Sequence, residues 1–385
     1  MCRDYVDVQV FAPGFHHPDR DRQEDAPPPP PSGERPTSVV ISGEWQQKLA
    51  FREGLEPAAC GNRTSHEGGD DEGMRMRPFS PLPEPLARGP FALAEAWPTG
   101  LTQARARGRD LAAPYWGVRT PGLSGTFLDR VRAADQIRAV DEAFSHDTAA
   151  RLLGLPLPRP WQDDEQIHIC GETELPRLRR VGIVSHRGLE RRLVVTSHGV
   201  PCTDPVTTWA DLAGVLTLDD LVVLGDGMVR RGSGVSISDL RHVISSRRGR
   251  RGVVRLRDAV SLVRVGSDSP METRARLVFV RDALPEPELN AAVLDDAGGW
   301  LATGDFVWRE KKVVAEFDGD HHRTDRRQWQ IDVARRESVQ ASGWTYVQLT
   351  GQTITNPILA DRLVRRLRRL LLDAERPTSA PIRDE

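Results

Sequence analysis

Apolar and polar positions follow two different rhythms along this chain. From about residue 252 onward the segments are well separated. GVVRLRDAVSLV (252–263) and PMETRARLVFVRDA (270–283) repeat their apolar residues at helical spacing, whereas ELNAAVL (288–294), WLATGDFVW (300–308) and KKVVAEFDG (311–319) alternate as strands do. DDAGG (295–299) and REK (309–311) are short enough to join these strands in a meander. A helix over 325–342, a strand WTYVQLT (344–350) and a helix over 356–375 complete the segment. The predicted order is helix, three strands, helix, strand, helix.

Upstream the rhythm is less regular. Between 123 and 251 the pattern predicts helices over 127–144 and 145–154, the second capped by Ser145 and stopped by Gly154. Strands are expected next at 165–171, 179–187 and 191–200, then helices at 204–216, 217–232 and 235–246. Residues 85–122 predict two short helices, FALAEAW (91–97) and TQARARGRD (102–110) with Thr102 as N-cap, then a strand and turn in YWGVRTPG (115–122). Those parts suit a small winged helix-turn-helix-like module, with Arg105, Arg107 and Arg109 facing DNA phosphates or base edges. The same residues also suit a helical hairpin with a solvated basic face.

Residues 1–84, with PPPPP at 27–31 and GGDDEG at 68–73, bury too little apolar surface to offset the roughly 1–2 kcal/mol lost per ordered residue. A disordered leader is expected there, either a binding tail or a consequence of a wrongly chosen start, and a short tail over 376–385. The chain is thus read as an α/β protein in three folded parts: 85–122, a mixed α/β middle domain over 123–251, and 252–375.

Charge changes this picture in one respect. The net charge of −2 covers a strong preference for arginine, since the only lysines are Lys48, Lys311 and Lys312. Arginine runs therefore carry less weight as phosphate contacts. Cys2, Cys60, Cys170 and Cys202 have neither metal-site nor disulfide spacing, which fits a reducing cytoplasm. No apolar run reaches the roughly 20 residues of a membrane helix, so no membrane partner is expected. His146, His186 and His198 share no spacing and read as ordinary polar residues.

The candidate chemistry lies in VVAEFDGDHHR (313–323), a core strand that carries acids. Glu316 and Asp318 are two apart and project to one face, and Asp305 on the preceding strand comes opposite the same patch if the hairpin pairs. Two like charges about 4 Å apart repel by about 4 kcal/mol at an effective dielectric near 20, so such a cluster calls for a cation or raised pKa values. A hard divalent ion suits three carboxylates, and His322 just beyond Gly319 is placed to move a proton. Ser269, Pro270 and Glu272 form a capping box at the start of a helix, which accounts for Glu272, although a supporting catalytic role suits it equally.

SPMETRARL (269–277), GDFVW (304–308), VAEFDGDHH (314–322), DVAR (332–335) and GWTYVQLT (343–350) together resemble the PD-(D/E)XK nuclease superfamily. Within it the likeness is to the very-short-patch-repair-like branch filed as domain of unknown function 559. The resemblance covers about a third of the chain. It implies a restriction-endonuclease-like core that cuts DNA with Mg2+ or Mn2+: Asp305, Glu316 and Asp318 hold metal, His322 assists, Glu272 supports and Arg335 contacts DNA. Asp318 stands where the superfamily has lysine, and Lys312 lies on the wrong side of Glu316 to replace it. Gln348 stands where relatives often have arginine. PFALAEAW to YWGVR, with FSHDTAARLLGLPLP and PVTTWADLA, is similar to AbiEi-type antitoxin-like proteins. That second likeness implies an alternative, a non-catalytic DNA-binding transcriptional regulator with a degenerate nuclease fold. The two likenesses bring in a homodimer or a toxin as protein partner. The last helix carries Arg362, Arg365, Arg366, Arg368 and Arg369 beside an apolar stripe and is read first as a packed helix.

Overall fold

The computed structural model describes residues 79–122, 125–318 and 326–372. His322, the expected tail and all but the end of the expected leader lie outside these residues. The chain is mixed α/β and separates into two units, divided between Asp211 and Leu212. Among the described residues no helix is long and apolar enough to cross a membrane.

The N-terminal unit opens with β1 (Phe91–Ala92), α1 (Leu93–Ala96), α2 (Gln103–Ala106), β2 (Leu111–Ala112) and β3 (Val118–Pro121). The strands form an antiparallel sheet in the order β1-β3-β2. Leu86, Phe91, Ala96, Leu101, Ala106 and Leu111 fill its small core. Both helices are shorter than their sequence patterns predict. Phe91 and Ala92 pair with Arg119 and Val118 as a strand instead of starting a helix, and α2, capped by Thr102 through the Arg105 amide, ends after one turn.

Beyond these lie α3 (Phe127–Asp135), β4 (Glu142–Phe144), α4 (His146–Leu152), β5 (Ile167–Gly171), β6 (Ile183–Arg187), β7 (Val194–Ser197), β8 (Val200–Thr203) and α5 (Pro205–Leu212). The five strands form one sheet in the order β6-β5-β4-β8-β7. The helix expected over 127–144 is corrected here, because its last three residues form β4. Arg138 donates to the carbonyls of Ala139 and Glu142, both at 2.6 Å, and fixes the turn between helix and strand. Phe144 is then fully buried among Ile167, Ile169 and Cys202, a packing gain that overrides weak local helix preference.

The second unit begins with α6 (Leu218–Met228), α7 (Ile237–Ser245), α8 (Val253–Leu262) and α9 (Pro270–Arg281). The sequence boundary at 251/252 placed α6 and α7 with the middle domain, but the structure groups them with the C-terminal elements. The reason is visible at Asp226 on α6, whose carboxylate accepts from Thr273 Oγ1 at 2.9 Å and Arg276 Nη2 at 2.7 Å, both on α9. Next comes a four-stranded sheet: β9 (Glu288–Leu294), β10 (Trp300–Trp308), β11 (Val313–Phe317) and β12 (Thr345–Leu349), ordered β12-β11-β10-β9. The first three strands are an antiparallel meander and β12 is parallel to β11. α10 (Arg326–Ala341) makes that crossover, and α11 (Gly351–Thr355) and α12 (Pro357–Leu372) end the unit.

Each face of this sheet has its own core. Phe306, Trp308, Val313, Ala315, Val347 and Leu349 pack against residues of α9 and α12, including Phe279 and Leu367. Val307, Val314 and Val293 pack on the other side with Val339 of α10 and Trp344. On α12, Leu363, Val364, Leu367 and Leu371 are buried while the five arginines are exposed, as the apolar stripe predicts.

Candidate active site

The acidic residues collect where β10, β11 and the start of α9 meet. β10 and β11 pair through Phe306↔Ala315 and Val307↔Val314, so the register continued one step sets Asp305 opposite Glu316. The next ladder bond is altered. The Phe317 amide donates to Asp305 Oδ2 at 2.7 Å, so a side-chain oxygen serves where a strand carbonyl would be expected.

The other neighbour of Asp305 is equally irregular. Asn290 on β9, between the pairs Gly304↔Ala291 and Phe306↔Leu289, takes a left-handed backbone at φ 44°. Asparagine is among the few non-glycine residues found there with any frequency. Its Nδ2 donates to Glu272 Oε2 at 3.1 Å and to the Gly266 carbonyl at 2.6 Å. Glu272 is buried, and the same Oε2 accepts from the Asp268 amide at 2.8 Å. Ser269 does cap α9 through the Glu272 amide, but the Glu272 side chain reaches to Asp268 instead of closing the expected box on Ser269.

Asp305 therefore sits half-buried among acids. Burial, reinforced by Glu272 and further by Glu316 and Asp268, pushes its carboxyl up to about 7 against the opposing pull of the Phe317 amide. No lysine or arginine among the described residues forms an ion pair with it. Glu316 is treated differently, since its Oε2 accepts from Arg335 Nη2 at 3.1 Å and from the Tyr346 hydroxyl at 2.9 Å. Burial and the Glu316 charge hold that phenol well above its usual range.

Asp318 does not join this group. It is exposed, its amide donates to the Leu349 carbonyl, and its Oδ2 accepts from Gln348 Nε2 at 2.5 Å. Lys312 is also remote in its bonding, with its Nζ on Asp296 Oδ1 at 2.5 Å. Asp305, Glu316 and Asp318 do not bring oxygen atoms within 4.8 Å of one another as a set of three. Asn290 was missed by the sequence reading, and the signal was available: a lone amide among the apolar interior positions of the strand that precedes the one carrying Asp305.

The expected DNA contacts divide as well. Arg105 is engaged, donating to both carboxylate oxygens of Asp110 at 2.9 and 2.6 Å, with its side chain only 11% exposed. Arg107 and Arg109 are exposed. Arg335 lies on α10, paired with Glu316 and more loosely with Asp332 at 3.7 Å.

One further cluster appears that spacing did not reveal. His146, His168 and His186 bring ring nitrogens within 4.8 Å of one another, and among the described residues no other three histidine, cysteine or acidic groups do.

No protein-family model matches the chain. It is similar to an uncharacterized protein from each of two strains of Mycobacterium tuberculosis, at 28% identity over 247 residues, which is 63% of this chain and 87% of each relative. No solved structure matches it.

Proposed function

We propose that the second unit is a metal-dependent DNA endonuclease of restriction-endonuclease-like architecture, and that β1 to β3 with their one-turn helices form a winged-helix-like DNA-binding module. The observation that carries this reading is Asp305, a half-buried carboxyl surrounded by Glu272, Glu316 and Asp268 and pushed up to about 7. Packing so many acids around an irregular strand pair opposes stability, and such strain is a common mark of a functional site.

Paired carboxylates suit a hard divalent ion, which takes oxygen from one or two carboxylates and the rest from water and phosphate, and among the described residues no lysine or arginine forms an ion pair with Asp305. Asp305 and Glu316, opposite each other on paired strands, are the residues that would hold Mg2+ or Mn2+; neither Glu272 nor Asp318 completes with them a set of three oxygens within 4.8 Å. When bound, such an ion lowers the pKa of water and offsets charge developing on a phosphate. The chain supplies the rest. Asn290 and the Asp268 amide fix Glu272, the Phe317 amide fixes Asp305, and Tyr346 fixes Glu316. Arg107 and Arg109 offer exposed charge to a phosphate backbone.

A second reading rests on a specific contact. Arg335 already neutralises Glu316, as a side chain would in a fold that binds DNA without cutting it. Incubating the purified chain with supercoiled and single-stranded DNA, with Mg2+ or Mn2+ and beside an Asp305→Ala, Glu316→Ala double variant, separates the two. Cation-dependent nicking that the double variant loses is the expected result. Retention of DNA by both proteins, with nicking by neither, selects the regulator.

A further inference from the structure

The N-terminal unit holds a different kind of polar cluster. His168 on β5 and His186 on β6 lie on one face of the sheet, because the parallel register pairs His168 with Val184 and Cys170 with His186. Their rings lie nearly parallel, at 19°, with His168 Nδ1 3.0 Å from His186 Nε2. His146 completes the group from the first position of α4, its ring stacked on His186 at 3.6 Å between centroids.

The backbone is bent to bring His146 there. Its φ is 52°, a left-handed conformation that helix starts do not need and that costs of order 1 kcal/mol or more in a non-glycine residue. Ser145 occupies the cap position but makes no side-chain cap bond, and its Oγ lies instead 3.1 Å from His146 Nδ1. A helix terminus has thus given up its usual satisfaction to support an imidazole. Meanwhile Ile167 and Ile169, which alternate with His168, go to the hydrophobic core, so the histidines are not on the sheet face that fills it.

We infer that His146, His168 and His186 form a binding site for a borderline transition-metal ion, Zn2+ in the first instance. Zinc takes imidazole nitrogen at about 2.0–2.1 Å in tetrahedral geometry, which sets two nitrogen ligands about 3.3 Å apart. His168 Nδ1 and His186 Nε2, which share a hydrogen bond, are 3.0 Å apart and the third nitrogen is within 4.8 Å, so the stacked rings have only to turn to face one ion. An all-imidazole set selects against Mg2+ and Ca2+, which take oxygen. The site is therefore distinct in metal preference from the acidic one in the second unit.

The protonation state agrees with the geometry. Metal ligation needs neutral imidazole. Burial, aided by the neighbouring imidazoles, holds His146 down to about 3 and His186 down to about 4, and burial lowers His168 too. Three ligands leave a fourth position open to water, the pattern of zinc sites that are reactive or exchangeable.

The test uses the full-length chain, dialysed against chelator and titrated with Zn2+ alone. One equivalent should bind, and Co2+ in its place should show the intense visible absorption of a four- or five-coordinate ion. His168→Gln and His186→Gln should each weaken Zn2+ binding by more than the roughly 10–100-fold that loss of an outer-shell partner costs. His198→Gln and the Asp305→Ala, Glu316→Ala variant should bind as the parent does. A readout without variants is protection from diethyl pyrocarbonate, mapped by mass spectrometry. Zn2+ should shield His146, His168 and His186. Absence of a stoichiometric site in the folded parent, or equal binding by glutamine variants whose circular dichroism matches the parent, or modification of these histidines unaffected by Zn2+, would each overturn the assignment.

Discussion

Two aspartates of the second unit, Asp226 buried and Asp305 half-buried, meet opposite surroundings. Asp226, where α6 packs on α9, has full compensation: the Arg264 amide, the Thr273 hydroxyl and the Arg276 guanidinium all donate to it, and the Asp226 and Arg276 side chains are each 1% exposed. Burial still pushes its carboxyl upward, but Arg276 and these hydrogen bonds pull against it. Asp305 receives one strand amide, and its charged neighbours are acids. One aspartate closes a helix junction, and the other has no ion-pair partner among the described residues. Burial alone does not distinguish these two surroundings; the sign of the neighbouring charge does.

The sharpest way to break this contrast is to remove the compensated acid. Asp226→Ala leaves Arg276 fully buried without its carboxylate, and breaking a buried pair from one side costs about 3–5 kcal/mol. Urea denaturation should show that loss at neutral pH. A loss below about 1 kcal/mol would mean that the junction relaxes or admits water, and the contrast with Asp305 would fail.

Removing the uncompensated acid should act in the other direction. A folded-state value near 7, above the ordinary aspartate value, means that the native protein holds a proton that the unfolded chain has released. Stability from this group is present below about pH 4 and is lost as pH rises through about 7. Asp305→Asn keeps an oxygen for the Phe317 amide and removes the titration. The variant should exceed the parent in stability at pH 8 by about 2–3 kcal/mol, after discounting for solvent screening, and should match it near pH 4. Melting curves across that range decide the matter. A variant that is less stable at every pH would show that Asp305 serves the fold.

Legibility in the sequence divides along the same line. The strands 288–294 and 300–308 emerge with the bounds their alternation predicts, because each has a clear period and a short polar turn beside it. Pairing of Asp305 with Glu316 was readable from the turn length alone. What spacing did not reveal depended on the neighbouring strand or on a turn. Asn290 matters through its left-handed backbone, Asp318 is drawn away by Gln348 on β12, and Phe144 leaves a predicted helix because a strand 25 residues downstream has a place for it. The histidines are the extreme case. They are 22 and 18 residues apart in sequence and meet only after β5 and β6 pair in parallel.

The finest probe of the contrast is Arg335, which gives Glu316 the ion-pair partner that Asp305 has from no described residue. Its side chain is 39% exposed, so the pair stabilises the fold by at most about 1 kcal/mol. Arg335→Gln should therefore leave the melting temperature nearly unchanged. Under the proposed nuclease reading its effect belongs to the ion. A guanidinium on Glu316 Oε2 occupies an oxygen that a divalent cation would use, so the two compete, and removing Arg335 should lower the Mg2+ concentration that half-saturates nicking. Tyr346 still holds the carboxylate in place in the variant, so Glu316 keeps its orientation. A rise in the Mg2+ requirement would instead make Arg335 part of the substrate grip, carrying a phosphate once the ion has taken Glu316 from it.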